Sequence, residues 1–276
     1  MNDDRERGIA RYREFLAARD GAADLLRHTL SKREAFFDEI TRRPVRSRRV
    51  IDRAAYVRNL ARRRPETGLD ERLLWLVATA KINQAERFGV GLAELFGRVN
   101  ADDREPARIH AMLQETYHTR ILADVVGMFG LAVHARPPRF PVRAMIKFMV
   151  SAPERWTLPV AGANEMAGCV LFRAMRDKGV ELFSDEPEVA ERIRLLYDEI
   201  LGDEIGHVGF IAAQLGELGR RVMRGLYRRL GRVVGTQSPE VVTLFGRTEL
   251  ERRFAAFRLD TAAAELPHLA FAAALI

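Results

Sequence analysis

Two short stretches hold residue types that could ligate metal: Gln114-Glu115-Thr116-Tyr117-His118 and Asp203-Glu204-Ile205-Gly206-His207. Each contains a Glu-x-x-His. On an α-helix, positions i and i+3 share a face one turn apart, so a carboxylate and an imidazole at that spacing can hold one ion from the same side. Two such pairs, with one more Glu from each of two further helices, make the ligand set of a di-iron or di-manganese site in a helix bundle. A single Glu-x-x-His on a helix surface is a frequent accident. The pattern gains meaning only if other elements bring both pairs and two more carboxylates together.

The elements available for this are helical, and no clear strand alternation is present. The pattern predicts helices over 5–19 and 21–41, with capping-box spacing at Ser31-Lys32-Arg33-Glu34 marking a break inside the second. Residues 42–66, interrupted by Pro44 and Pro65, read as an irregular arm with one short helix, and carry ten arginines between Arg42 and Arg64. A helix apolar on most sides, as a core helix is, should run from about Asp70 to Arg98 with Glu86 in its middle. After the Asn100-Ala101-Asp102-Asp103 turn, where Asp102 or Asp103 would be the N-cap, the next helix should reach about Gly130 and carry the first Glu-x-x-His. Pro137, Pro138 and Pro141 mark a loop, followed by a short helix over 142–151 within a long crossover. A third long helix should start after Pro159 and reach about Arg176, carrying Glu165. Ser184-Asp185-Glu186-Pro187 reads as the start of a fourth, which runs to about Leu215 with the second Glu-x-x-His. A basic helix over 217–234 should follow, then one capped at Ser238-Pro239 and running to about Phe257. The apolar end, 262–276, should pack on the bundle.

In an antiparallel helix pair, residues equidistant from the turn lie level. Glu86 and Glu115 are equidistant from the Asn100-Ala101 turn, and Glu165 and Glu204 from the Ser184-Asp185 turn. Each acidic pair should therefore come level, about 20–30 Å from its turn at roughly 1.5 Å per residue. If the two halves pack as a four-helix bundle, six ligands meet: Glu86, Glu115, His118, Glu165, Glu204 and His207. Four buried carboxylates without cations repel one another and lose hydration; two divalent ions balance them. The expected organisation is all-α, with residues 1–66 as N-terminal helices and an arm packed on the bundle, and 67–276 as the metal-binding helical domain with C-terminal helices.

The order Glu … Glu-x-x-His … Glu … Glu-x-x-His over residues 70–215 resembles the ferritin-like di-iron carboxylate proteins. These include multicomponent monooxygenase hydroxylases, ribonucleotide reductase small subunits, acyl-carrier-protein desaturases, aldehyde-deformylating oxygenases, arylamine N-oxygenases and a tRNA hydroxylase. The resemblance implies two iron ions, or a manganese–iron pair, with O₂ as co-substrate. It implies Glu115 and Glu204 as bridging ligands and Glu86 and Glu165 as terminal ones. It also implies that Asp203 accepts a hydrogen bond from His118, fixing its tautomer. Leu122 stands where the reductase places its radical Tyr, and Tyr117, beside His118, points elsewhere on the helix. Ile200 stands where the N-oxygenases place a third His. Cys169, four residues after Glu165, stands where hydroxylases often place a cavity Thr; it reads as either a pocket residue or a small core residue. His110 and His134 read as packing or surface residues.

Composition bounds the remaining choices. At 276 residues and 47% hydrophobic the chain can bury a full core. The single Cys, the charged Met1-Asn2-Asp3-Asp4-Arg5 start and the lack of a run near the roughly 18 apolar residues of a membrane span fit a cytoplasmic protein. The net charge of +7 is mostly an Arg surplus. Arg220, Arg224, Arg228 and Arg232 form a stripe that could meet an acidic carrier, a phosphorylated substrate or RNA, or could simply be a solvated face. No stacking-aromatic pattern accompanies it. The functional expectation is an oxygenase or oxidase that hydroxylates, desaturates or N-oxygenates a small organic or carrier-bound substrate. Its electrons would come from a reductase or ferredoxin, because no flavin, nicotinamide or iron–sulfur motif is present, and it could act as a homodimer. Alternatives are a tRNA-modifying hydroxylase, a ferroxidase or iron-storage protein, and a basic helical nucleic-acid-binding protein without redox activity.

Overall fold

The computed structural model describes residues 25–95, 106–134, 136–138 and 140–258, with isolated positions between 6 and 17. The Asn100–Asp103 turn with its N-cap and the apolar end at 262–276 lie outside the described residues. Among the described residues every regular element is a helix. In chain order these are α1 (Leu25–Arg42), α2 (Arg53–Ala61), α3 (Glu71–Leu95), α4 (Pro106–Gly127), α5 (Phe140–Ser151), α6 (Glu154–Leu182), α7 (Pro187–Gln214), α8 (Glu217–Gln237), α9 (Pro239–Phe245) and α10 (Arg247–Ala256).

Helices α3, α4, α7 and α6 pack in a ring, each against two neighbours. Hydrogen bonds between them fix their directions. Trp75 Nε1 donates to the Met175 carbonyl early in α3 and late in α6, and Asn83 of α3 donates to the Thr119 carbonyl of α4. Arg176 pairs with Asp198 across α6 and α7, and His118 of α4 meets Asp203 of α7. Neighbours in the ring are therefore antiparallel, so α4 and α6 run the same way. The connection between them, which contains α5, crosses the length of the bundle.

Two apolar clusters fill the interior. One joins Trp75, Leu76, Ile121, Leu122, Met175, Phe183 and Tyr197; the other joins Ala163, Met166, Val170, Ile205, Val208, Met223 and Tyr227. Helix α7 is buried from Ile200 to Ala213 without a break, because α4 and α6 pack against it and Arg33 of α1 reaches Asp203. The change of cluster along α7 falls between Leu201 and Ile205, where Asp203 and Glu204 sit.

Several boundaries differ from the sequence expectation. Helix α1 is continuous through Ser31–Glu34, and Arg33 is buried where a capping break would have exposed it. Helix α6 begins at Glu154 and ends at Leu182, with Pro159 inside it. Proline there removes one hydrogen bond, to the carbonyl of exposed Arg155, which water can satisfy. The last predicted helix is two, α9 and α10, divided by Gly246 at φ +78°, a backbone angle that other residues rarely adopt. The helix start at Pro187 is present, but its acids face elsewhere. Glu186 accepts hydrogen bonds from the Ser47 hydroxyl and the Arg48 N–H, and Asp185 pairs with Arg49. They anchor the Arg-rich arm. No helix of the described residues is long and apolar enough to cross a membrane.

Candidate metal centre

The ring brings the six sequence-predicted ligands to one place. Glu115, Glu165, Glu204 and His207 each offer one ligand atom, all within 4.8 Å of one another. Glu86, Glu115 and His118 do the same, also within 4.8 Å. Glu115 belongs to both groups, the position of a carboxylate that spans two ions. Glu204 Oε1 is also 3.4 Å from His118 Nδ1, so it faces the second group as well as its own. The two imidazole centroids are 6.0 Å apart.

Both imidazoles present Nδ1 to the carboxylates and Nε2 to the protein behind. His118 Nε2 lies 3.1 Å from Asp203 Oδ2, and His207 Nε2 lies 2.9 Å from Gln114 Oε1. Gln114 in turn donates its amide to Asp203 Oδ1 at 2.6 Å. Asp203 is held by Arg33 of α1, 2.5 Å from the carboxylate, and Arg33 also reaches Glu199 at 2.9 Å. This chain sets both tautomers. An ionised Asp203 can only accept, so His118 Nε2 carries its proton. Gln114 spends its amide on Asp203, which leaves its oxygen to accept from His207 Nε2. Each Nδ1 lone pair is thus turned toward carboxylate oxygens: His118 toward Glu115 at 3.7 Å, His207 toward Glu115 at 3.0 Å and Glu165 at 3.4 Å. His118 Nδ1 is buried without a hydrogen-bond partner. Acceptor facing acceptor at so buried an imidazole requires a proton or a metal cation between them.

The protonation preferences of the ion-free cluster express that requirement. Burial, then the Glu115 and Glu165 charges, hold Glu86 well above the ordinary carboxylate range. Burial, then Glu165 and Glu115, do the same for Glu204. Burial alone would lower His207, but its bonds to Glu115 and Glu165 push it up to about 10. Burial also works against charge on His118, and the Glu115 and Asp203 carboxylates outweigh it and raise its pKa. Glu115 would rise with burial too, yet both imidazolium groups pull it below its usual value. Protons gather where cations would reside.

Helix α6 comes close at Gly168. A Cβ there would stand 2.6 Å from Glu204 Oε2, so a side chain at this position would push that carboxylate out of its present place. An apolar cavity of about 770 Å³ reaches Glu86, Glu115 and Glu165 and is walled by residues including Ile82, Val90, Met145, Ile146 and Phe172. Cys169, expected either in this pocket or in the core, is not among the lining residues. It is buried in the second apolar cluster, where burial, then Glu165, raises its thiol pKa. The wall at that turn is Gly168, one residue earlier and about 100° round the helix. Tyr117 faces α1, with its ring 5.8 Å from Phe37 and the Arg33 guanidinium beside it, and takes no part in either ligand group. His110 is buried and His134 exposed, both outside the two groups.

Arg33 and Gln114 were not singled out from the sequence. Gln114 had a signal: it precedes Glu115 as Asp203 precedes Glu204, and the antiparallel packing of α4 on α7 sends each to the other helix's imidazole. Arg33 had none, being one of 45 basic residues. Comparison of the chain with protein-family models, with curated proteins and with solved structures returned no match.

Proposed function

We propose that the chain is a ferritin-like di-metal carboxylate oxidase or oxygenase that uses O₂ and external electrons to oxidise an organic substrate. The observation that carries this reading is the pairing of four carboxylates with two imidazoles whose Nδ1 atoms, fixed by Asp203 and Gln114, face only oxygen. Two divalent ions would balance the four carboxylates. When bound, a pair of redox-active ions, iron or manganese with iron, supplies the multi-electron reduction of O₂. Glu86 and His118 would hold one, Glu165, Glu204 and His207 the other, and Glu115 both. Asp203 and Gln114 keep the Nε2 protons in place, and Arg33 holds the Asp203 carboxylate in position. The cavity wall holds an apolar substrate against the cluster and excludes water. That wall favours substrate oxidation over iron storage, which needs a hydrated route for ions. No redox-cofactor motif is present in the chain, so the electrons come from a separate donor.

The test is metal analysis after anaerobic loading with Fe(II), followed by stopped-flow absorbance on mixing with O₂. Two ions per chain and a transient oxidation signal are expected. Glu115→Ala should lose both ions and His207→Ala at least one, each with helical circular dichroism retained. A protein that binds no stoichiometric metal under these conditions would refute the proposal.

A further inference from the structure

The cavity has two chemically different ends. Along α3 its wall runs from Ala78 to Val90, about 18 Å at roughly 1.5 Å per residue. Around and beyond Glu86 the lining is apolar, with Met112, Met145 and Met149 giving an adaptable surface. Around Lys81, about 7 Å along the helix from Glu86, the lining is cationic: Arg62, Arg63, Lys81 and Arg136. Two carboxylates stand at this end: Glu240 is committed to Lys81 Nζ at 2.5 Å, and Glu66 accepts from Arg62 Nη1 at 3.3 Å in an exposed pair that uses one of the guanidinium's five N–H donors. Lys81 Nζ donates to the Arg62 carbonyl, which brings Arg62 here, and Gln84 Nε2, on the helix between Lys81 and Glu86, donates to the His134 carbonyl two residues before Arg136. Arg62 and Arg136 are exposed. A positive mouth on an apolar slot selects charge at one end of the guest and hydrocarbon along the rest.

We infer that this cavity binds an amphipathic anion, an apolar body of about 10–14 Å bearing one carboxylate or phosphate, with its head at Arg62 and Arg136 and its body along Glu86. The inference rests on the proposed oxidase reading for what happens next, and adds the substrate class and its orientation. Guanidinium forks match carboxylate and phosphate alike, so both heads fit. The depth between mouth and cluster presents a carbon well inside the chain to Glu86 and Glu115, rather than the carbon bearing the head.

The experiment is isothermal titration of the metal-loaded protein with decanoate, decyl phosphate and decanol, each below its micelle-forming concentration. Decanoate or decyl phosphate, or both, should bind at least tenfold tighter than decanol, and whichever is tighter names the head. Arg62→Glu combined with Arg136→Glu should erase that preference and leave metal content unchanged. Met145→Trp, which fills the slot, should weaken all three probes, which adsorption to the basic surface would not do. Equal affinities for the three probes, no binding of any, or an anion preference that survives both sets of substitutions would overturn the inference. Metal content, read on the same samples, reports the di-metal reading separately: an anion preference without metal leaves this inference standing, and metal without an anion preference removes it alone.

Discussion

A histidine whose two ring nitrogens both face oxygen keeps a proton on each until a cation takes one place. His207 is in that position, and its proton is held up to about 10 against an ordinary value of 6.5. The folded chain therefore grips that proton more tightly than the unfolded chain. Its stabilising effect is complete below about pH 6.5 and is lost as the pH climbs through about 10. Glu86 and Glu204, raised from 4.5, act in the same sense, whereas Glu115 acts oppositely and only at acid pH, because its pKa is lowered from 4.5. The melting temperature of the metal-free protein should fall between pH 6.5 and 10, and the increment from added Fe(II) or Mn(II) should grow over the same window. Differential scanning calorimetry at several pH values measures both; a pH-independent metal increment would contradict the tautomer assignment. Gly168→Ala tests the cluster sterically: its methyl would meet Glu204 Oε2 at 2.6 Å, so metal stoichiometry should drop with little change in helix content.

Helices were legible where spacing and periodicity spoke together. The equidistance of Glu86 and Glu115 from their turn placed both acids, because a long apolar helix paired with its neighbour leaves little freedom of register. The same reasoning placed Glu165 and Glu204, although the start of α6 was missed: Pro159 reads as a boundary, while the fold tolerates it one turn and a half into a helix whose first carbonyls face water. The division of α9 from α10 at Gly246 went unseen, since a glycine flanked by helical residues does not announce its backbone angle. What no local pattern could show was α1 reaching the carboxylate–imidazole cluster. Arg33 is 4% exposed and pairs with Asp203, which is fully enclosed. Arg33→Ala strands that carboxylate without its partner and should cost about 3–5 kcal/mol of stability. It should also loosen His118, so urea denaturation and metal affinity ought to weaken together. Loss of stability with metal affinity untouched would show that α1 merely packs.

Part of the basic excess works as internal bracing among the described residues. Arg49 ties the arm to Asp185 and Glu186, and Arg72 donates to the Leu182 carbonyl at the end of α6. Arg176 joins α6 to Asp198 of α7, and Arg192 donates to the Ile40 and Arg43 carbonyls at the end of α1. On α8, Arg220, Arg221 and Arg224 share Glu217, so the stripe read as a partner surface is partly neutralised on its own helix; the Arg232 side chain lies outside those described. Charge count alone could not separate struts from a docking face, because the distinction depends on which acids and carbonyls the fold brings near. The shared position of Glu115 has one more outcome. A polypeptide cut within 135–139 would give an amino-terminal fragment that still owns Glu86, Glu115 and His118, and a carboxy-terminal fragment lacking the fourth member of its set. Reassociation of the two pieces should therefore restore the second ion, making metal uptake a reporter of whether severed halves have found each other.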